Sequence, residues 1–195
     1  DPVDQIGSSA ALVEMLQKGA GGLSSRELSE AFENIGALNG HSSGIEVSLF
    51  SGALLGENIL KLLEIYQRVL RSPHLPPDEL ESVRSLLLQE IRGIEDEPAT
   101  KVMVELAKRF YPEPFGRPQQ AGLGNISIES LGAYFKDSYG PARAIIGVAG
   151  SFDWNGVVET VERCFGDWTG GTIPLESNPG ATESSVYHLE KDTSQ

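Results

Sequence analysis

The chain has 195 residues, 39% of them apolar and 22% charged, and 15 Lys+Arg against 28 Asp+Glu give a net charge of 15 − 28 = −13. That length buries a core as one large domain or two small ones, and the composition is neither disordered nor fibrous. The acidic balance argues against nucleic acid as the main partner, because phosphates demand clustered Lys and Arg. The single cysteine, Cys164, excludes an internal disulfide and a Cys-based metal cluster. It leaves the compartment open, cytoplasmic or periplasmic. No apolar run approaches the roughly 18–20 residues of a membrane span. The polar start, Asp1-Pro2-Val3-Asp4-Gln5, carries no signal peptide, and the abrupt ends suggest a piece of a longer protein.

In chain order, Ser8 to Lys18 is apolar at Ala11, Leu12, Met15 and Leu16, which predicts a helix stopped by Gly19. Ser24-Ser25-Arg26-Glu27 reads as a capping box ahead of Leu28, Phe32 and Ile35, which share a helical face that ends at Gly36. Ile45 to Leu49 alternates with period two and predicts a half-buried strand. Helices follow from Ile59 to Leu70, from Asp78 to Ile94 after a Pro-Pro start, and from Pro98 to Phe110. Residues 111–118, rich in Pro and Gly, predict a surface loop, and Ser127 to Tyr139 a further helix. The branched apolar run Ala144 to Ala149 predicts a central strand, and Gly156 to Trp168 an amphipathic helix. A single domain over residues 1–170 is expected. Residues 171–195 read as a linker-like tail with an edge strand at Val186 to Leu189.

Residues able to do chemistry are few. His41, His74 and His188 stand in no H-x-x-x-H or H-E-x-x-H spacing, so no helix presents two imidazoles to one metal. His74, in a Pro-rich turn, and His188, in the tail, read as solvent-facing, whereas His41 is a candidate to line a groove. There is no nucleophile elbow, P-loop or dinucleotide fingerprint. Cys164 reads as a buried thiol beside Phe165. Glu90 falls at ~100° per residue on the apolar side of its helix with Val83, Leu87 and Ile94. Two readings stay open: an edge carboxylate reaching solvent or an Arg, and one held inward for a metal or polar network.

The order of these segments resembles the pitrilysin/insulinase family, the inverted-motif zinc metallopeptidases that include mitochondrial processing peptidase. The resemblance runs through Leu16-Gln17-Lys18-Gly19-Ala20, Glu33-Asn34-Ile35-Gly36-Ala37, and the strand-like Glu46-Val47-Ser48-Leu49-Phe50. It continues through Pro73 to Glu90, Phe115-Gly116-Arg117-Pro118 with Gly124, and Tyr139 to Gly150. It implies an α+β fold, a mainly antiparallel sheet layered with helices, as in the processing-peptidase type of metallopeptidase domain.

It also implies a lost site. Aligned on Lys18-Gly19, Ala10 and Glu14 stand where the family's two zinc histidines would be, and Val13 where its catalytic glutamate would be. Glu90 is the remnant of the third ligand, and Val83 replaces an acidic residue seven positions earlier. No cofactor is therefore expected, although the family uses zinc. Gly40 and His41 replace the family's Asn-Ala pair at the strand that holds substrate, while the backbone of residues 43–50, with Glu46 and Ser48, retains the means to take a peptide by strand addition. The function implied is a non-catalytic first half that shapes a peptide chamber with a zinc-bearing homologous partner or a second half. Two alternatives stand beside it: an active hydrolase with an unusual metal site from Glu14, Glu90 and His41, and an assembly domain with no peptide groove.

Overall fold

Gly7 opens the first helix, α1 (Ser8–Met15), at φ 103, and has no side chain to cap it. In this computed structural model, which describes residues 1–2, 4–44, 46–111, 120–171 and 186–188, the Asp1 carboxylate supplies the cap. It accepts hydrogen bonds from the backbone N–H groups of Gly7 and Ser9, each at 2.8 Å, and sets negative charge at the positive end of the helix. Strands β1 (Gly19–Ala20) and β2 (Leu23–Ser24) pair antiparallel across Gly21 and Gly22, whose φ angles of 55 and 85 suit a two-residue turn open only to residues tolerant of positive φ. Helix α2 (Ser25–Asn34) follows with the expected capping box: Ser24 Oγ accepts from the Glu27 N–H while the Glu27 carboxylate accepts from the Ser24 N–H.

Strands β3 (Leu38–Ser43) and β4 (Ser48–Ala53) form an antiparallel hairpin with His41 opposite Phe50 and Ser43 opposite Ser48. Those four residues share the inward face. Phe50 meets Tyr66 and Tyr139 edge-on, and Gly52 lets the strand approach the helix over Ile59–Arg71, where a Cβ would lie 2.7 Å from Leu62. Leu38 and Leu49 are exposed. The strand predicted over 45–49 is corrected here: Gly44 N–H donates to Val47 C=O at 2.8 Å to close a turn, Glu46 and Val47 lie outside any strand, and of the predicted residues Ser48 and Leu49 belong to β4. The alternation was that of the strand's first residues run back through the turn. Ile45 lies outside the described residues.

The helices α3 (Ile59–Arg71), α4 (Leu80–Gly93), α5 (Pro98–Phe110), α6 (Gln120–Leu123), α7 (Ile128–Ser138) and α8 (Trp154–Phe165) complete the order. Leu12, Met15 and Leu16 lie at the centre of one core with Leu28, Phe32, Val69, Val83 and Leu131. Arg84 ties α4 to the α6–α7 link by donating to the carbonyls of Leu123 at 3.0 Å and Ile126 at 2.8 Å. Arg71 holds α3 to α8 through the Cys164 carbonyl at 2.7 Å and Asp167 at 2.6 Å. Cys164 is buried, as its helical position predicts.

The architecture is thus mixed helix and sheet. Among the described residues the strands make two two-stranded sheets, so a larger layered antiparallel sheet is not seen there. The run Ala144 to Ala149, predicted as a central strand, lies among them without a strand partner. Beyond Tyr111 the predicted loop over 111–118 lies outside the described residues, as does most of the predicted tail, including Leu189 of its strand. Residues 186–188 have no regular secondary structure, and the Arg109 guanidinium sits 3.6 Å above the Tyr187 ring. No described helix is long and apolar enough to cross a membrane.

Candidate functional site

Helix α1 is buried at Ala11, Leu12, Val13 and Met15, which leaves Ala10 and Glu14, one turn apart on one face, only partly covered. The inward face of β3 lies against this helix and aims His41 at it. His41 Nε2 donates to Glu14 Oε1 at 3.0 Å, with 26% and 24% of the two side chains exposed. This bond holds the Glu14 carboxyl below its ordinary range against the opposing effect of burial, and Lys18 adds to it. The same bond raises the His41 pKa, again against burial, and the charges of Glu14 and Glu90 reinforce it. Imidazolium and carboxylate each favour the other's charged form.

Glu90 sits near the end of α4 and is exposed, so its expected place on the apolar side is corrected. The helix buries Leu80, Val83 and Leu87; residue 90 is only about 20° around from Val83, but it lies nearly a turn beyond Leu87, the last residue the helix buries. Its charge reaches His41 all the same. Ser48 stands on the inward face of β4 beside the Tyr139 hydroxyl, which is buried, lacks a well-formed hydrogen bond among the described residues, and is pushed upward in pKa by that burial. Gly40 faces outward against Ser51, and Glu46 is exposed in the turn. Glu14 and His41 therefore meet, with Glu90 in electrostatic reach, while Glu46 stands apart. His74 is solvent-exposed as predicted, yet its ring also accepts from the Gly22 N–H at 3.2 Å.

Spacing in the sequence did not single out Tyr134 and Tyr139, both largely buried with raised pKa values next to this face. Nothing in local periodicity separates a tyrosine that packs in a core from one that faces a site.

The donors do not suit a catalytic zinc, which takes three protein ligands and keeps one open position. Ala10 and Val13 offer no lone pair, the Glu14 oxygen is engaged by His41, and Glu90 projects to solvent. Among the described residues no three His, Cys, Asp or Glu side chains are grouped to hold a metal ion.

The pair makes a pH-dependent contribution with a definite sign. The raised His41 pKa stabilises the fold below the ordinary value of 6.5, and this is lost as pH rises through the folded value. The lowered Glu14 pKa stabilises above 4.5, and this is lost as pH falls through its folded value. His41→Gln is expected to lower the melting temperature most near pH 5–6 and least above about pH 8. Thermal melts of both proteins from pH 4 to 9 check this; a pH-independent difference would contradict it.

No protein-family model matches the chain. It is similar to an uncharacterized zinc protease of Bacillus subtilis, 28% identical over 193 residues that make 96% of this chain and 45% of that protein. It is also similar to a probable mitochondrial-processing peptidase subunit beta of Arabidopsis thaliana, 28% identical over 186 residues, 92% of this chain and 33% of that one. Among solved structures, a peptidase M16 inactive domain from Pseudomonas fluorescens superposes with a TM-score of 0.77 at 18% identity, covering 91% of this chain and 45% of that chain. A protease from Helicobacter pylori superposes at 0.75 and 18% identity, covering 92% and 44%. The chain thus spans less than half the length of these proteins. It resembles the pitrilysin-type, processing-peptidase-like zinc metallopeptidases in sequence, has the fold of their domain, and lacks the zinc-binding motif.

Proposed function

We propose that this chain is a non-catalytic peptidase-like domain that forms one wall of a peptide-binding chamber, completed by a zinc-bearing homologous partner or by a second half of the same protein. The observation that carries this is the Glu14–His41 hydrogen bond, made at the face where the resemblance places zinc and backed by Ala10 and Val13, which can neither ligate a metal nor activate water. Residues 1–170 would act as the domain and 171–195 as its connection onward. Peptide would add to the hairpin through main-chain groups of residues 43–50, with Gly40, His41, Glu46 and Ser48 bordering it. That mode needs no catalytic side chain, so its loss leaves binding possible. The relatives support a peptidase setting: one is named as a zinc protease and another as a processing-peptidase subunit.

The expected result is that fluorescently labelled peptides of mixed sequence bind the chain, as read by anisotropy, and are recovered intact by mass spectrometry. Cleavage that a chelator abolishes would support the hydrolase alternative instead. Absence of binding by any peptide, together with stable pairing to another protein, would favour a pure assembly domain.

A further inference from the structure

The sequence holds two Asn-Gly steps, Asn39-Gly40 and Asn155-Gly156. Asparagine is a thermolabile residue, and a following glycine leaves it most open to attack because no side chain shields the next backbone nitrogen. That nitrogen, once its proton is lost to solvent, attacks the side-chain amide carbon. A ring C–N bond forms, the bond to the side-chain nitrogen breaks, and ammonia leaves with a proton taken back from solvent. Water then opens the five-membered imide at either carbonyl and yields aspartate or iso-aspartate. The sum is one water consumed and one ammonium released for each carboxylate formed. A backbone N–H that donates a hydrogen bond must first be freed to enter this path.

Both glycine N–H groups are engaged, but by very different amounts of structure. Gly40 pairs with Ser51 across the hairpin, and counting from the Gly44–Val47 bond this pair exchanges hydrogen bonds, which sets the Gly40 N–H on the Ser51 carbonyl. The Tyr66 hydroxyl donates to that same carbonyl at 2.5 Å. Freeing Gly40 therefore means opening the hairpin and pulling Phe50 from Tyr66 and Tyr139. At α8, by contrast, the Gly156 N–H donates to Asp153 Oδ2 at 3.0 Å and the Asn155 N–H to Oδ1 at 3.2 Å. Asp153 and Asn155 are exposed, and the first turn of a helix frays. Rotation of one surface carboxylate releases the Gly156 nitrogen.

We infer that Asn155 is the position at which the folded chain deamidates, at a rate set by the hold of Asp153 on the Gly156 N–H, while the hairpin keeps Asn39 silent. Aspartate at 155 would add negative charge at the positive end of α8. Iso-aspartate would lengthen the backbone by one methylene just ahead of Val157, which is 4% exposed. The inference is independent of what the hairpin face binds.

Peptide mapping by mass spectrometry tests it, on the folded 195-residue chain held in neutral buffer. Asn155 should convert at least ~10-fold faster than Asn39, and the difference should vanish in urea. Asp153→Ala should speed conversion at 155 about fivefold, the factor by which loss of a typical cap favours opening of the first turn, and leave Asn39 unchanged. Gly156→Ala, whose Cβ would meet the movable end of the Asp153 side chain, should nearly abolish conversion at 155. Equal or faster conversion at Asn39 in the folded chain would overturn the inference, as would a difference that persists in urea. So would an Asp153→Ala variant that leaves the rate at 155 unchanged or raises both positions alike.

Discussion

Val13→Glu is expected to be the most damaging single change on helix α1. Val13 is 2% exposed and stands where the resemblance places the family's catalytic base, so the substitution puts that carboxylate back. Here it would arrive in a packed interior with no cation or donor reserved for it. An uncompensated buried charge costs on the order of 3–5 kcal/mol, and the group responds by raising its pKa. The sign follows: a carboxyl whose folded pKa is raised is tolerated when protonated and penalised as pH climbs above its unfolded value of about 4.3. Urea denaturation at pH 5 and pH 8 should therefore show a larger loss at pH 8. A midpoint equal to the parent's at pH 8 would mean that the position opens to solvent and accepts a charged carboxylate at no cost.

Leu12→Ala should follow it closely. Leu12 has no exposed surface, and its helix touches α4, α7 and β3, so the side chain lies where the scaffold of the site converges. Truncating a fully buried leucine removes its transfer free energy and leaves a cavity, together about 3 kcal/mol. Because α1 and β3 also carry Glu14 and His41, the loosened helix should weaken their hydrogen bond. The chemical shift and apparent pKa of the His41 ring, followed by NMR, should move toward those of an ordinary histidine. A loss below about 1 kcal/mol would show that neighbours close over the gap.

The helices were largely legible in the sequence because their signals are local. Ser24 to Glu27 is a capping box in the letters and in the structure, and Ser127 likewise caps α7. The strands were less so. A half-buried strand announces itself by alternation, but the place where a hairpin turns depends on which residues find partners across it, and Gly44 with Val47 settled that outside the predicted frame. Ala144 to Ala149 has the composition of an inner strand, and composition cannot say whether a neighbour is present. At the site, Ala10 and Val13, which the resemblance sets at a zinc-ligand position and at the base position, were legible from the letters alone as side chains with no lone pair. The joining of Glu14 to His41 was not, because 27 residues and a strand crossing separate them. Glu90 shows the limit of angular counting: a residue only ~20° around from buried Val83 is still exposed when it lies past Leu87, the last residue its helix buries.

The central claim is that Glu14 and His41 hold a hydrogen bond, not a metal ion, at the face where the resemblance places zinc. It is tested most directly by elemental analysis of the chain after incubation with a modest excess of zinc and then desalting. The account predicts far less than one zinc retained per chain. One zinc per chain, lost in the Glu90→Ala variant, would contradict it and make Glu14, His41 and Glu90 a working metal site.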